Sequence, residues 1–450
     1  MAYINNNKIK GLGGIKRAYL NNTLIFQSFK KDEEVISPYD ITAKYNVTST
    51  TSPTKVCDNT LSFTEMYVDN MQISHTSGYT FSSTGEHTVG YMLKDKTTIG
   101  DFTYKSCSGL TSIDIPDSVT TIGNYAFQKC SGLTSVTIPS SVTSIGEFAF
   151  DNCTSLTSVT IPSSVISIGV SAFYNTPFYN NLPNGDVYLG SCYYRYKGTM
   201  PRNTSITIKD GTKSISPDAF VGCSSLTSVT IPSSITSIGN TAFYACRGLT
   251  SVTIPSSVTT ISVGTFYDCS GLKSIDIPSS VTNIGANAFN GCTSLTSVTI
   301  PSSVTSIGKS AFGDCASLTA ITLPQNLSSN IGDKTFAGCT SLTEIVIPDS
   351  VPSINGSAVF SGCTSLQKIT IGSGVTSIGT SASFGFPEYS IFDGCTSLNS
   401  ITCLAPTAPT LLTKSIQGIE NNNGVLYVPY GSDYSTWTSI LTTWTIQYLT

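Results

Sequence analysis

Ile122–Ser144 reads IGNYAFQKCSGLTSVTIPSSVTS, and the same pattern recurs along most of the chain with a period of 23 residues. Isoleucines open the successive units at Ile99, Ile122, Ile145, Ile168, Ile215, Ile238, Ile261, Ile284, Ile307, Ile331, Ile354 and Ile378, which counts twelve coils. Eleven of the 14 cysteines keep one phase of this repeat: Cys107, Cys130, Cys153, Cys223, Cys246, Cys269, Cys292, Cys315, Cys339, Cys363 and Cys395. Self-similarity at such a period predicts a solenoid, in which no coil can bury its own faces and stability comes from stacking on neighbours.

Within a coil, Leu133, Val136 and Ile138 follow L-x-x-V-x-I, the strand signature of leucine-rich repeats. Strand alternation turns Val136 and Ile138 inward and Ser135 and Thr137 outward. Pro139 has no amide hydrogen, so it ends the ladder and turns the chain. Val142 and Ile145 supply a second inward side. On the third side, Ala149, Phe150 and Cys153 fill a turn expected to be short and helical or irregular.

The repeats resemble the BspA-like leucine-rich repeats of gut and oral bacteria, carried by stretches such as SVTSIGEFAFDNCTSLTSVTIPSSV (Ser141–Val165) over roughly 350 residues. The resemblance implies a β-strand plus a short turn per coil in a repeat solenoid, and a role in adhesion at a bacterial surface. Departures are few. Tyr104 stands where the pattern has Phe, Gly372 where it has Pro, and the last two coils carry insertions.

Composition narrows the function classes. Only 11% of the 450 residues are charged, against about 25% in ordinary soluble domains, and Ser, Thr and Gly fill the difference. A net charge of −4 gives no strong field for nucleic acid or anionic lipid. No stretch has signal-peptide form or the apolar length of a membrane span. The outward strand positions are nearly uniform Ser and Thr, interrupted at Asp114, Lys273, Asp276, Glu344, Gln367 and Lys368. Such a face suits a repetitive glycan or extended chain, and equally a coat that keeps a strand-rich body in solution.

Chemistry is harder to find. The only histidines, His75 and His87, have no metal or catalytic partner in a motif. There is no G-x-S-x-G elbow and no phosphate loop. One thiol per rung does not converge on a metal, and equivalent parallel positions rarely meet disulfide geometry, so free, buried, small apolar cysteines are expected. No cofactor, no metal and no enzymatic activity are expected.

Four regions are anticipated: 1–34 as an attachment segment, 35–97 as a β-rich module capping the solenoid, 98–402 as the solenoid, and 403–450 as a C-terminal cap. An insertion at 174–205 interrupts the fourth coil. Seven aromatic residues lie between Tyr174 and Tyr196, and Val187–Leu189 and Cys192–Tyr196 read as a hairpin across Gly190-Ser191 that loops out of the repeat. Tyr188, Tyr193, Tyr194, Arg195 and Tyr196 are the candidate binding residues, since tyrosine brings contact area at low entropic cost. Packing of the same rings onto the solenoid is the alternative.

Near the start, Lys16–Phe26 (KRAYLNNTLIF) reads as a small hairpin across Asn21-Asn22. A lone hairpin is marginal in water, so Tyr19, Leu20, Leu24, Ile25 and Phe26 are the candidate attachment residues. This segment resembles those heading structural proteins of phages of gut bacteria. That likeness implies a virion-associated fibre, decoration or receptor-binding protein, mounted on other virion proteins and presenting the solenoid to a bacterial surface protein or glycan. A homo-oligomer is compatible with a fibre. The alternative is a bacterial cell-surface or secreted adhesin, with an intracellular scaffold as a third reading.

Overall fold

In the computed structural model the described residues are 39–379, 390–412 and 415–449, together with the backbone of six two-residue strands before residue 39. The chain forms two compact units, residues 1–182 and 183–450.

In the first unit, a five-stranded antiparallel sheet runs in the order Met71–Ile73, Phe63–Val68, Gly85–Leu93, Ile41–Val47, Leu110–Asp114. Ile41, Ala43, Tyr45 and Val47 are all buried, the alternation of a strand with one face on a core. Asp69 and Asn70 connect two of its strands with φ of 45° and 69°, the left-handed pair that a two-residue hairpin turn requires. The last strand in this sheet belongs to the first leucine-rich coil. Ile41–Val47 therefore covers the edge that this coil would otherwise present to water, the usual requirement at the end of a repeat stack.

The coils follow the expected plan on two sides. Ser135–Thr137 pairs in parallel with Ser158–Thr160 in strict register, and Thr98–Ile99, Thr121–Ile122, Ser144–Ile145 and Ser167–Ile168 form a second parallel ladder. Four-residue helix Pro177–Asn180 ends the unit, capped by the Thr176 hydroxyl, which accepts from Tyr179 N.

The third side is not helical. Most described coils carry a left-handed residue three positions after the opening Ile, as at Tyr125, Phe148, Thr241 and Asn287, and another just before the Cys, as at Lys129, Asn152, Ala245 and Asp268. These kinks aim alternate amides at the next coil: Tyr125, Phe127 and Lys129 N donate to Glu147, Ala149 and Asp151 O at 2.7–2.8 Å. The turn is thus a third hydrogen-bonded ladder. A helix would have spent those amides within its own coil.

In the second unit the insertion does not loop out. Gly185–Leu189 and Cys192–Lys197 form the expected hairpin with Gly190 in the left-handed region, but Cys192–Lys197 also pairs in parallel with Ser214–Ile215 of the following coil. The hairpin is annexed because it offers a strand and large rings to a coil edge that needs covering. Parallel strands then run from Thr204–Thr207 through Ser400–Cys403, and continue as Val425–Pro429 and Thr445–Leu449. The C-terminal segment therefore prolongs the ladder where the sequence pattern breaks. Buried aromatics anchor it: Trp437 and Trp444 Nε1 donate to Pro409 O and Ile419 O at 3.1 and 2.9 Å, and the Tyr434 hydroxyl donates to Ala405 O at 2.9 Å.

A phenylalanine spine runs inside the coils, with ring centroids 5.1–6.0 Å apart and near-parallel planes from Phe220 through Phe392. Phe266 stands between Phe243 and Phe289 with no exposed surface. Replacing Phe266 with Ala is expected to lower the stability of the second unit by about 3–5 kcal/mol, whereas Thr299→Ala on the outward face changes it by less than about 0.5 kcal/mol. Urea unfolding followed by circular dichroism checks both.

Candidate functional site

Three features could carry function, and the broadest is the outward strand face. In the second unit, Ser274, Ser297 and Ala320 stand in one row, and Asp276, Thr299 and Thr322 in the next, in unbroken register. The threonines just before these strands are occupied differently. Thr250, Thr296 and Thr319 each donate the side-chain hydroxyl to a carbonyl one coil back, at 3.2–3.4 Å. Hydroxyls next to the strand thus staple coils together, while those on the strand face water. The charged interruptions meet one another, for Glu344 lies directly across from Lys368.

The second feature is the cysteine ladder. All fourteen thiols are free, and Cys223 alone is partly exposed. Most thiols of the ladder donate to the carbonyl of the aromatic residue one coil back, among them Cys130 to Tyr104, Cys153 to Phe127, Cys269 to Phe243, Cys292 to Phe266 and Cys363 to Phe336, at 3.0–3.2 Å. That carbonyl also accepts the amide of the Cys in its own coil, as Phe127 O does from Cys130 N at 3.1 Å. Burial pushes the Cys153, Cys269 and Cys363 thiols up to about 12, and the Cys223 thiol up to about 11, with Arg195 nearby pulling the last one back. Thiols held protonated are poor nucleophiles and poor metal ligands.

The third feature is the annexed hairpin. Tyr193 and Tyr194 are buried. The Tyr193 ring stacks on Phe220 at 4.6 Å, and its hydroxyl donates to Asp186 at 2.9 Å. Tyr188, Arg195 and Tyr196 keep partial exposure, with the Tyr188 ring edge-on to Tyr193 and beneath the Lys209 ammonium at 4.3 Å. The five candidate binding residues are thus divided between core and surface. At the N-terminus, the backbone of Tyr19–Leu20 pairs antiparallel with Thr23–Leu24 across Asn21-Asn22, while Ile25 and Phe26 lie outside the described residues.

The model of the BspA type leucine rich repeat region matches residues 74–187, 192–316 and 260–386, well over half of the chain. The chain belongs to the BspA-type leucine-rich repeat family. A comparison with curated proteins returns no match. Among solved structures, it is similar to a leucine-rich repeat protein from Bacteroides ovatus, at 28% identity over 83% of this chain and 90% of that one, with a TM-score of 0.43. A leucine rich cell surface protein from Faecalibacterium prausnitzii is 31% identical over 70% of this chain and 84% of its own, with a TM-score of 0.34. The T. pallidum leucine-rich repeat protein is 34% identical over 39% of this chain and 82% of its own, with a TM-score of 0.36.

One constellation in this BspA-type chain escaped the sequence reading. His87 Nδ1 lies 2.7 Å from Asp69 Oδ2, and Nε2 lies 3.2 Å from Ser83 Oγ and 3.0 Å from Ser83 O. The residue types are those of a hydrolytic triad, but Nε2 lies nearer to Ser83 O than to Ser83 Oγ. Both contacts are satisfied together when each ring nitrogen carries a proton, and in that imidazolium form His87 is no base for Ser83. Its hydrogen bond to Asp69 accordingly raises the His87 pKa against the opposing effect of burial. No group of three or more His, Cys, Asp or Glu residues that could hold a metal occurs among the described residues.

Two pH dependences follow. The buried thiols ionise in the unfolded chain near the ordinary value of 9.0 but in the fold only near 12, so the stabilisation they carry is full below pH 9 and is lost as the pH rises through 12. Urea midpoints are expected to fall between pH 8 and pH 10.5, and a thiol-specific disulfide reagent at pH 8 is expected to label Cys223 before any other cysteine. His87 acts in a lower window: its contribution is full below about pH 6.5 and is lost as the pH rises through its raised folded value. NMR titration should place the His87 midpoint above 6.5, and Asp69→Asn should bring it down.

Proposed function

We propose that the protein is a non-enzymatic binding scaffold displayed at a surface, and that the outward face of its repeat strands is what it displays. The observation that carries this reading is the in-register array of uncharged side chains on parallel strands, exemplified by Ser135 opposite Ser158 and Thr137 opposite Thr160. Strand spacing of about 4.8 Å lets a repetitive or extended ligand be met rung by rung, and the free hydroxyls offer donors and acceptors without charge. The burial of thirteen of the fourteen thiols favours binding over catalysis.

For the location, we infer a bacteriophage particle, where the protein serves as a fibre, decoration or receptor-binding element. The support is the basic, hairpin-forming N-terminal segment, whose Tyr19–Leu20 and Thr23–Leu24 are too short a pair to stand alone in water. It would mount the chain on other virion proteins through Tyr19, Leu20, Leu24, Ile25 and Phe26. A second reading, a bacterial cell-surface or secreted adhesin, is favoured by the family and by the relative from Faecalibacterium prausnitzii described as a cell surface protein.

Quantitative mass spectrometry of purified phage particles and of the envelope and medium of the host tests both. Peptides in fixed stoichiometry with the major capsid protein are expected. Recovery from the envelope or medium alone would replace the virion reading with the adhesin one, and recovery from the cytosol alone would overturn surface display altogether.

A further inference from the structure

In the first unit, the segment from Asn46 to Lys55 and the start of the first two repeat strands enclose an open cleft of about 550 Å³. Its walls are held firmly. Asn46 N donates to Gly109 O at 2.8 Å, the Ser49 hydroxyl accepts from Thr51 N and Ser52 N at 3.2 Å, and Thr54–Lys55 pairs antiparallel with Gly78–Tyr79. Its floor is bare backbone. A Cβ on Gly132 would sit 2.5 Å from Ser108 O, and one on Gly109 would sit 3.2 Å from Asn46 O and from Thr54 Cγ2. With no side chain at either position, anything entering the cleft can lie close against the chain.

The chemistry of the lining selects the ligand class. Asn46, Thr48, Ser52, Thr54 and Ser108 line the cleft with amide and hydroxyl groups. The one ammonium, Lys55, is neutralised by its ion pair with Asp58, so no net charge is available for a phosphate or carboxylate. Pro53 is the sole apolar side chain of the lining apart from the glycines, which leaves no pocket for a peptide's apolar anchors. A shallow, neutral site rich in hydroxyl and amide groups matches a ligand with the same groups along its edges.

We propose that this cleft is a saccharide subsite for two or three units of a neutral glycan. The assignment rests on the reading of the chain as a binding scaffold and gives it a ligand class. The Thr111 backbone at the cleft leads directly onto the outward strand face, so a longer glycan can leave the subsite along the rows of Ser and Thr.

Saturation-transfer difference NMR and calorimetry on the full chain, with cellotriose and maltotriose as neutral probes and trigalacturonate as the charged comparator, test it. At least one neutral trisaccharide is expected to bind with a Kd on the order of 1 mM or tighter, with no loss of affinity in added salt. Asn46→Ala and Ser108→Ala, both on exposed side chains, are expected to weaken it about five- to tenfold each, and Ser108→Trp to abolish it, with unchanged urea midpoints. Absence of saturation transfer from both neutral probes at millimolar sugar, or binding of trigalacturonate alone, overturns the ligand class. Binding unaffected by all three substitutions overturns the cleft as its site. None of these outcomes alters where the chain is found in particles or cells, so surface display stands or falls separately.

Discussion

The contact on which the coils depend is the one that nine cysteine thiols, from Cys130 to Cys395, make with the aromatic carbonyl one coil back. Phe127 O takes the amide of Cys130 and the thiol of Cys153, so a single acceptor closes its own turn and locks the next one. Carbonyl oxygens have two lone pairs, and a buried one left half-used loses stabilisation. Serine could reach the same oxygen, but at the price of burying a more strongly hydrated group. Cysteine is small, apolar and a weak donor, which suits a wall packed against a phenylalanine spine.

Because the turns are locked in this way, the strand face carries few of the contacts between coils, Ser205 with Ser228 being one. Hydroxyls at the strand margins staple coils, as with Thr250 on Thr227 O, while the outward residues on the strands face water. A chain with so few charges keeps its surface wetted through hydroxyls instead. A ligand of such a face would meet shape and hydrogen-bonding groups rather than charge, and salt would have little hold on it. The same neutrality extends into the cleft beside Asn46 and Ser108, where the only ammonium is already paired.

Much of the fold was legible in the sequence and some of the site was not, for local reasons. The strand pattern around Val136 and Ile138 repeats in register, and the burial of Leu133, Val136, Ile138, Val142, Ile145, Phe150 and Cys153 follows it. The third side carries a signal of its own in the sequence. Gly222, Gly291, Gly338, Gly362 and Gly394 stand just before a cysteine in the left-handed region, with Asn, Asp, Lys, Ser or Ala in that place elsewhere, and such a column argues against a helix. Nothing local, by contrast, announces Asp69 as the partner of His87. Their meeting depends on a hairpin turn and on the pairing of Phe63–Val68 with Gly85–Leu93.

The sequence by itself determined the solenoid, its period and the inward and outward sides of its strands, because each of these is set by spacing along the chain and repeats too often to be accidental. Tertiary structure alone decided the pairing of His87 with Asp69, the burial of Tyr193 and Tyr194, the continuation of the ladder through Thr445–Leu449, and the cleft over Gly109 and Gly132. Each of these depends on which segments meet across unlike parts of the chain. An open strand edge recruits whatever strand is within reach, and the periodic pattern carries no information about segments that are not periodic.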